Sequence, residues 1–154
     1  MAYIANNKHP KGCIFCDFPK SNQDEEHFIL HRGQMAFIIL NTFPYNSGHL
    51  MIAPYRHIAN YDDLTTDEML EINTLVVKVI RMMRRVLVPE GFNMGINMGK
   101  VAGAGYAEHV HLHIVPRWNG DTNFMPVLSD TRVVPEALLQ TYSKFQDDWT
   151  RHES

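Results

Sequence analysis

Between residues 109 and 114 polar and apolar side chains alternate without a break, in the run His109-Val110-His111-Leu112-His113-Ile114-Val115. Strict alternation is the period of a β-strand. Side chains two apart share a face, about 6–7 Å from each other along the chain. Three imidazoles therefore line one face and three branched aliphatics the other. Shorter runs predict further strands at His27–Arg32 and Met35–Leu40, joined through Gly33, and at His49–Pro54, ended by its proline. Thr42–Gly48 between them is rich in turn residues, and Phe92–Asn97 reads as one more strand. A different period marks the middle of the chain. Met69, Ile72, Val76, Val79, Met83 and Val86 recur every three or four residues, giving a helix with one apolar face. Thr65 and Glu68 form a capping box, Leu64 and Met69 a staple, and Pro89 and Gly91 stop the helix. Lys78, Arg81, Arg84 and Arg85 lie on its solvated side or near its C-terminus, where the dipole favours them. Pro135–Trp149 predicts an amphipathic terminal helix, with Leu138, Leu139, Tyr142, Phe145 and Trp149 packed on the body or on a second subunit. The elements add up to an α+β fold: an antiparallel sheet of about five strands, one long helix and a C-terminal helix.

Length and charge narrow the picture. At 154 residues the chain suits a single domain with a sizeable core, spanning 1–154 with its centre at 12–125 and a helical extension at 135–152. Residues 1–12 read as an arm. The formal net charge is −3, with no Lys/Arg-rich run, so a nucleic-acid partner is not expected. The start lacks the apolar core of a signal peptide. No apolar stretch approaches the roughly 20 residues that cross a bilayer. A cytoplasmic location without a membrane partner is the expectation. Two cysteines provide no disulfide framework.

Folding asks for the aliphatic face of residues 109–115 but not for a row of histidines. A half-exposed polar strand, a metal site and a catalytic strand are the three readings, and imidazole is a usable nucleophile at neutral pH. Gly99-Lys100-Val101-Ala102-Gly103-Ala104-Gly105 precedes the histidines directly. Glycines let backbone N–H groups curl around anionic oxygens. Cys13-Ile14-Phe15-Cys16 has the spacing of a redox centre or of half a metal site. Gly12 and Pro10 before it and Pro19 after it give a loop context, which favours metal.

The run His109–Val115 resembles the histidine triad (HIT) superfamily motif His-φ-His-φ-His-φ-φ, with φ apolar, at all seven positions. The likeness extends over roughly residues 12–125: Asn41 ends one strand, Gly48-His49 opens the next, and Pro54 ends it. It implies that His111 is a nucleophile attacking an α-phosphate to give a nucleotidyl-imidazole, which water or another acceptor resolves. It implies that His113 and His49 orient neighbours or donate to phosphate oxygen, with no catalytic metal required. Asn41 resembles the family's ribose-binding Asn. Asn97 and the loop residues Gly103, Ala104 and Gly105 would meet phosphates or the leaving group. Pro116 to Phe124 reads as a polar, aromatic loop near the site, and Trp118 joins the nucleotide-binding residues. Some relatives hold structural zinc through Cys-x-x-Cys, and the matching residues here are Cys13, Cys16, His57 and His109. His27 and His31 are alternative histidines, read instead as surface-strand residues.

The segment from Ala102 to Phe124 looks like the fragile-histidine-triad and bacterial diadenosine tetraphosphate phosphorylase side of the superfamily. Ala107 stands where phosphoramidases usually carry Ser or Thr, and His113 where the uridylyltransferase branch carries Gln. The resemblance implies an enzyme that cleaves dinucleoside polyphosphates such as diadenosine tetra- or triphosphate, and a homodimer. A purine nucleoside phosphoramidase, or a nucleotide-binding sensor with weak turnover, are the alternatives. The base pocket is expected on the first hairpin, at Phe37 or Ile39.

Overall fold

Strands 36–40 and 50–54 are buried at every position, so here alternation marks two covered faces rather than one wet and one dry. The computed structural model describes residues 12–121 and 135–154. In chain order the elements are α1 (Ile14–Lys20), α2 (Asp24–His27), β1 (Ile29–Arg32), β2 (Ala36–Leu40), β3 (Leu50–Pro54), α3 (Thr66–Val86), β4 (Gly91–Ile96), β5 (Leu112–Arg117) and α4 (Pro135–His152). The strands form one five-stranded sheet in the order β1-β2-β3-β5-β4, with every neighbouring pair antiparallel.

Register separates the faces. Ile38 opposes Ile52, and Leu50 opposes Ile114; these side chains join the core beneath α3 and α4. Phe37 opposes Ala53, Ile39 opposes Met51, and Met51 opposes His113. The apolar members of that second set pack with Cys13, Phe15, Cys16 and Tyr106. One sheet thus divides a helical core from a smaller apolar layer that carries the histidines.

α3 begins at the capping box expected: the Thr65 side chain accepts from Glu68 N–H, and Glu68 accepts from Thr65 N–H. Its buried stripe includes Ile72, Val76, Val79 and Met83, and is widened by Leu75 and Met82. The extra width reflects two packing partners, the sheet and α4. Glu68 also takes both Nε and Nη2 of Arg56, whose guanidinium holds the Glu68 carboxyl down at about 2. This pair ties the start of α3 to the loop after β3. α4 packs on the body. Leu138, Tyr142, Phe145 and Trp149 are buried, Tyr142 Oη donates to Ile29 O, and Arg85 pairs with Asp148 and Glu153. Leu139 faces outward, 39% exposed. Among the described residues no helix is long and apolar enough to cross a membrane.

Three expectations need correction. Cys13 and Cys16 open a helix rather than a loop: Cys13 is the N-cap of α1, and its carbonyl accepts from Cys16 N–H and Asp17 N–H. Pro19 removes one donor from that helix without preventing it. The strand predicted from His27 begins at Ile29, because Asp24, Glu25 and Glu26 favour a helical turn that ends at His27 and Phe28 then turns left-handed at φ 60°. The triad strand pairs regularly only from Leu112. Before it, Val110 N–H leaves the ladder for Ile58 O at 2.7 Å, and His109 N–H bonds Tyr106 O. The readings of residues 1–11 as an arm and of 122–124 as part of a loop near the site lie outside the described residues.

The turn between β1 and β2 is closed by a side chain from α3. Glu71 accepts backbone N–H groups from Gln34, Met35 and Ala36 at 2.8, 2.5 and 2.8 Å. Hydrogen bonds to charged groups contribute about 1.5–3 kcal/mol each net of water, and less where they are exposed as two of these are. Glu71→Ala is expected to lower unfolding free energy by about 2–3 kcal/mol in urea titration with an unchanged m-value, and Glu71→Gln by less.

Candidate active site

The register that sets His113 opposite Met51 places it on the sheet face away from α3. His49, just before β3, is 1% exposed and reaches the same spot: its Nε2 lies 2.8 Å from His113 Nδ1. Backbone donors then decide which nitrogen carries each proton. Tyr45 N–H donates to His49 Nδ1 at 3.1 Å, so in the neutral ring the proton sits on Nε2 and is donated to His113 Nδ1. His113 in turn carries its own proton on Nε2. His111 is the reverse. Its Nδ1 lies 2.8 Å from the His109 carbonyl and must donate to it, which leaves Nε2 with a bare lone pair. Two histidines two residues apart therefore present a bare lone pair and an N–H donor side by side, with ring centroids 4.8 Å apart.

Burial keeps these rings neutral. His49 is pushed down to about 3, first by desolvation and then by His113 and His111. His113 is pushed down to about 4 by desolvation, then by His111. His111 is also lowered by desolvation, with the His109 carbonyl opposing.

His111 and His113 line a cavity of about 360 Å³, within the range of small-molecule sites. Ile39, Leu40, Asn41, Met51, Gly103 and Gly105 contribute to its walls, and among the described residues none that lines it is Lys, Arg, Asp or Glu. Of the two hairpin positions expected to form a base pocket, Ile39 lines it. Phe37 packs instead between Phe15 and Tyr55. Gly103 turns left-handed at φ +87°, beside the Asn97 side chain. Asn97 and Ala104 stand next to the lining rather than in it. Trp118 is elsewhere: its indole N–H donates to Val88 O beyond the far end of β5.

Several wall residues had no sequence signal. Phe15 stacks on His111 at 4.6 Å and also touches His109 and Tyr106. Phe18 and His27 stack at 3.9 Å and 9°, and both face the cavity. Tyr45 lies 4.9 Å from His49. Only the period-two register of β3 pointed at Met51.

Behind Phe15 lies a second cluster. The ligand atoms of Cys13, Cys16, His57 and His109 all fall within 4.8 Å of one another. His109 Nε2 donates to Pro54 O, so its Nδ1 lone pair is bare, 3.4 Å from Cys13 Sγ, 3.6 Å from Cys16 Sγ and 3.1 Å from His57 Nδ1. Tetrahedral zinc with bonds of about 2.0–2.3 Å has ligand–ligand edges of roughly 3.3–3.8 Å, so these donors suit the ion. Without metal, burial pushes Cys13 up to about 12 and also raises Cys16. His27 and His31 take no part: His31 accepts from Trp149 Nε1.

Known proteins resemble this chain in sequence and in fold. The chain is 41% identical over 137 residues to AP-4-A phosphorylase of Mycobacterium tuberculosis, covering 89% of this chain and 70% of that one. It is 32% identical over 112 residues to the asymmetrical bis(5'-nucleosyl)-tetraphosphatase of Schizosaccharomyces pombe, covering 73% and 58%. A zinc-bound histidine triad family protein from Mycobacterium smegmatis has the same fold, with a TM-score of 0.74, 23% identity, and 93% and 96% of the two chains covered. The pattern of the HIT domain matches residues 22–120, and the chain belongs to the HIT domain family.

Proposed function

We propose that this protein cleaves dinucleoside polyphosphates at an α-phosphate through a nucleotidyl-imidazole on His111. The observation that carries the reading is the bare Nε2 of His111, fixed by donation of Nδ1–H to the His109 carbonyl. Nε2 attacks phosphorus in line, an N–P bond forms, and the P–O bond to the remaining polyphosphate breaks with its electron pair. The His109 carbonyl then stabilises the positive charge that develops on the ring. His113 Nε2–H and the amides of the glycine loop donate to phosphate oxygens. A base enters the apolar part of the cavity, between Ile39 and the Phe18–His27 pair. Asn41 Oδ1 already accepts Phe43 N–H at 2.8 Å and keeps a lone pair for a ribose hydroxyl. Water or inorganic phosphate resolves the intermediate.

Ala107 supports this leaving group over an amine. A polyphosphate departs as an anion and needs no proton, whereas an amine does, and Ala107 offers no hydroxyl to supply one. Phosphorolysis and hydrolysis differ only in the acceptor, phosphate or water, and relatives are named for each.

Cys13, Cys16, His57 and His109 would hold zinc as a closed structural site that locks His109, with no part in the displacement. Free thiols at such a site suit a reducing cytoplasm. The same reading includes a homodimer, supported by the exposed edge strand β4 with Met94 53% exposed.

Diadenosine tetraphosphate incubated with and without inorganic phosphate separates the acceptors by ion-exchange analysis. ATP plus ADP that depends on phosphate identifies a phosphorylase; ATP plus AMP in both tubes identifies a hydrolase. His111→Asn should retain nucleotide binding and lose at least about 10³ in kcat. Unchanged turnover in that variant would sink the mechanism.

The depressed His111 pKa means that the ring stays unprotonated as pH falls past the ordinary value of 6.5. His49 and His113, at about 3 and 4, stay neutral still lower. kcat/KM should therefore be flat from about pH 8 down to 6.5 and fall only on further acidification. An acid limb centred above 6.5 would contradict the assignment.

Elemental analysis of protein purified without chelator should find close to one zinc per chain. Cys16→Ala should abolish that zinc and lower Tm. Full zinc retention in the variant would exclude Cys16 as a ligand.

A further inference from the structure

The segment from Pro116 to Asp121 takes no part in lining the cavity, yet it makes a closed set of polar contacts. Asp121 Oδ2 accepts Arg117 Nε at 3.0 Å, Trp118 N–H at 2.8 Å and Asn46 Nδ2 at 2.5 Å, and Oδ1 accepts Arg117 Nη2 at 2.9 Å. Asn46 Nδ2 also donates to Pro116 O at 3.1 Å. Arg117 extends the set to Asn93 on β4. The side chain of Asp121 is only 10% exposed. Arg117 and the Trp118 amide hold its carboxyl down at about 2, so it remains an acceptor throughout the physiological range.

Asn46 is the member that belongs to a different part of the chain. It lies in the loop between β2 and β3, next to Tyr45, and its carbonyl accepts His49 N–H at 3.2 Å. The adjacent Tyr45 N–H is the donor on His49 Nδ1. From there the path is two rings long, His49 Nε2 to His113 Nδ1 at 2.8 Å. A hydrogen bond between two neutral imidazoles has two arrangements. In one, both rings carry their protons on Nε2; in the other, both carry them on Nδ1. The second would turn the free Nε2 of His113 from a donor into an acceptor, with a lone pair facing phosphate oxygens.

We propose that Asp121 is a positioning residue for the transfer site: by anchoring Asn46 it holds the Tyr45 amide on His49 Nδ1 and fixes His113 with its proton on Nε2. This rests on the reading of His113 as a phosphate donor. Loss of the anchor lets the loop relax, the Tyr45 amide withdraws, and the pair of rings samples the arrangement that cannot donate. The base pocket is formed by other residues, so transition-state stabilisation suffers more than ground-state binding.

The test is the tautomer itself, read from long-range ¹⁵N–¹H correlation spectra of histidine-labelled protein at neutral pH, alongside steady-state kinetics. In the parent protein His49 and His113 should both show Nε2–H. In Asp121→Ala and in Asn46→Ala the Nδ1–H form of both rings should appear together. kcat on diadenosine tetraphosphate should then fall about tenfold or more, with KM changing less than about threefold. Arg85→Ala, which removes the ion pairs to Asp148 and Glu153 and touches no member of the Asp121 set, serves as the control for lost stability. It should lower Tm without moving either tautomer. If Asp121→Ala does not fold, Asn46→Ala tests the same link. Nδ1–H on His113 in the parent, or unaltered tautomers in folded variants, would overturn the proposal. Because the spectra need no turnover, a parent protein that fails to cleave the dinucleotide would count against the proposed function and leave the tautomer result standing.

Discussion

Every polar group of His109 is committed. Its N–H goes to Tyr106 O, its Nε2–H to Pro54 O, its Nδ1 to the thiol cluster, and its carbonyl to His111 Nδ1–H. The last of these bonds is the constraint on which the site depends. It selects one of two tautomers for His111 and so decides whether the ring offers a lone pair or a proton to the cavity. A backbone carbonyl does this without charge and without a flexible side chain, and the other three bonds keep that carbonyl in place.

The electrostatics follow from the same economy. Among the described residues the cavity walls hold no Lys, Arg, Asp or Glu, and burial keeps His111 and His113 neutral. At His113 and the glycine loop an anionic ligand would meet N–H dipoles. Neutral donors fixed in place need no reorganisation when charge moves from one oxygen to another during a displacement. The cost of burying imidazoles is met by bonding them to one another and to backbone groups, the usual condition for buried polar groups in folded proteins.

Much of this was readable in the chain before any coordinates. Alternation in 109–115 put Val110 and Ile114 in the helical core and the three histidines on the other side, and the Thr65–Glu68 box located the start of α3. A sheet of about five strands and the long helix were expected from the periodicity, whereas the strand order was not. Other features escaped because they are tertiary. The all-buried runs of β2 and β3 hide which face each residue serves until register is known. The helix opened by Cys13 depends on packing that overrides the proline and glycine around it. Phe15 reads as one more aromatic residue until the fold sets it on His111, and the Trp118 segment resembles a loop at the site although its described residues do not line the cavity.

The alternation of the triad segment has a consequence for how such a chain tolerates change. From 109 to 114 its odd positions carry imidazoles and its even positions aliphatic side chains, so site and core are written into the same six residues but never into the same one. Substitutions can therefore separate them, altering an imidazole while the aliphatic side stays packed. Insertions and deletions cannot, because a slip of one residue sends every histidine inward and every aliphatic outward. In this stretch the reading frame of the fold and the reading frame of the chemistry are a single frame, open to variation in letter but closed to variation in length.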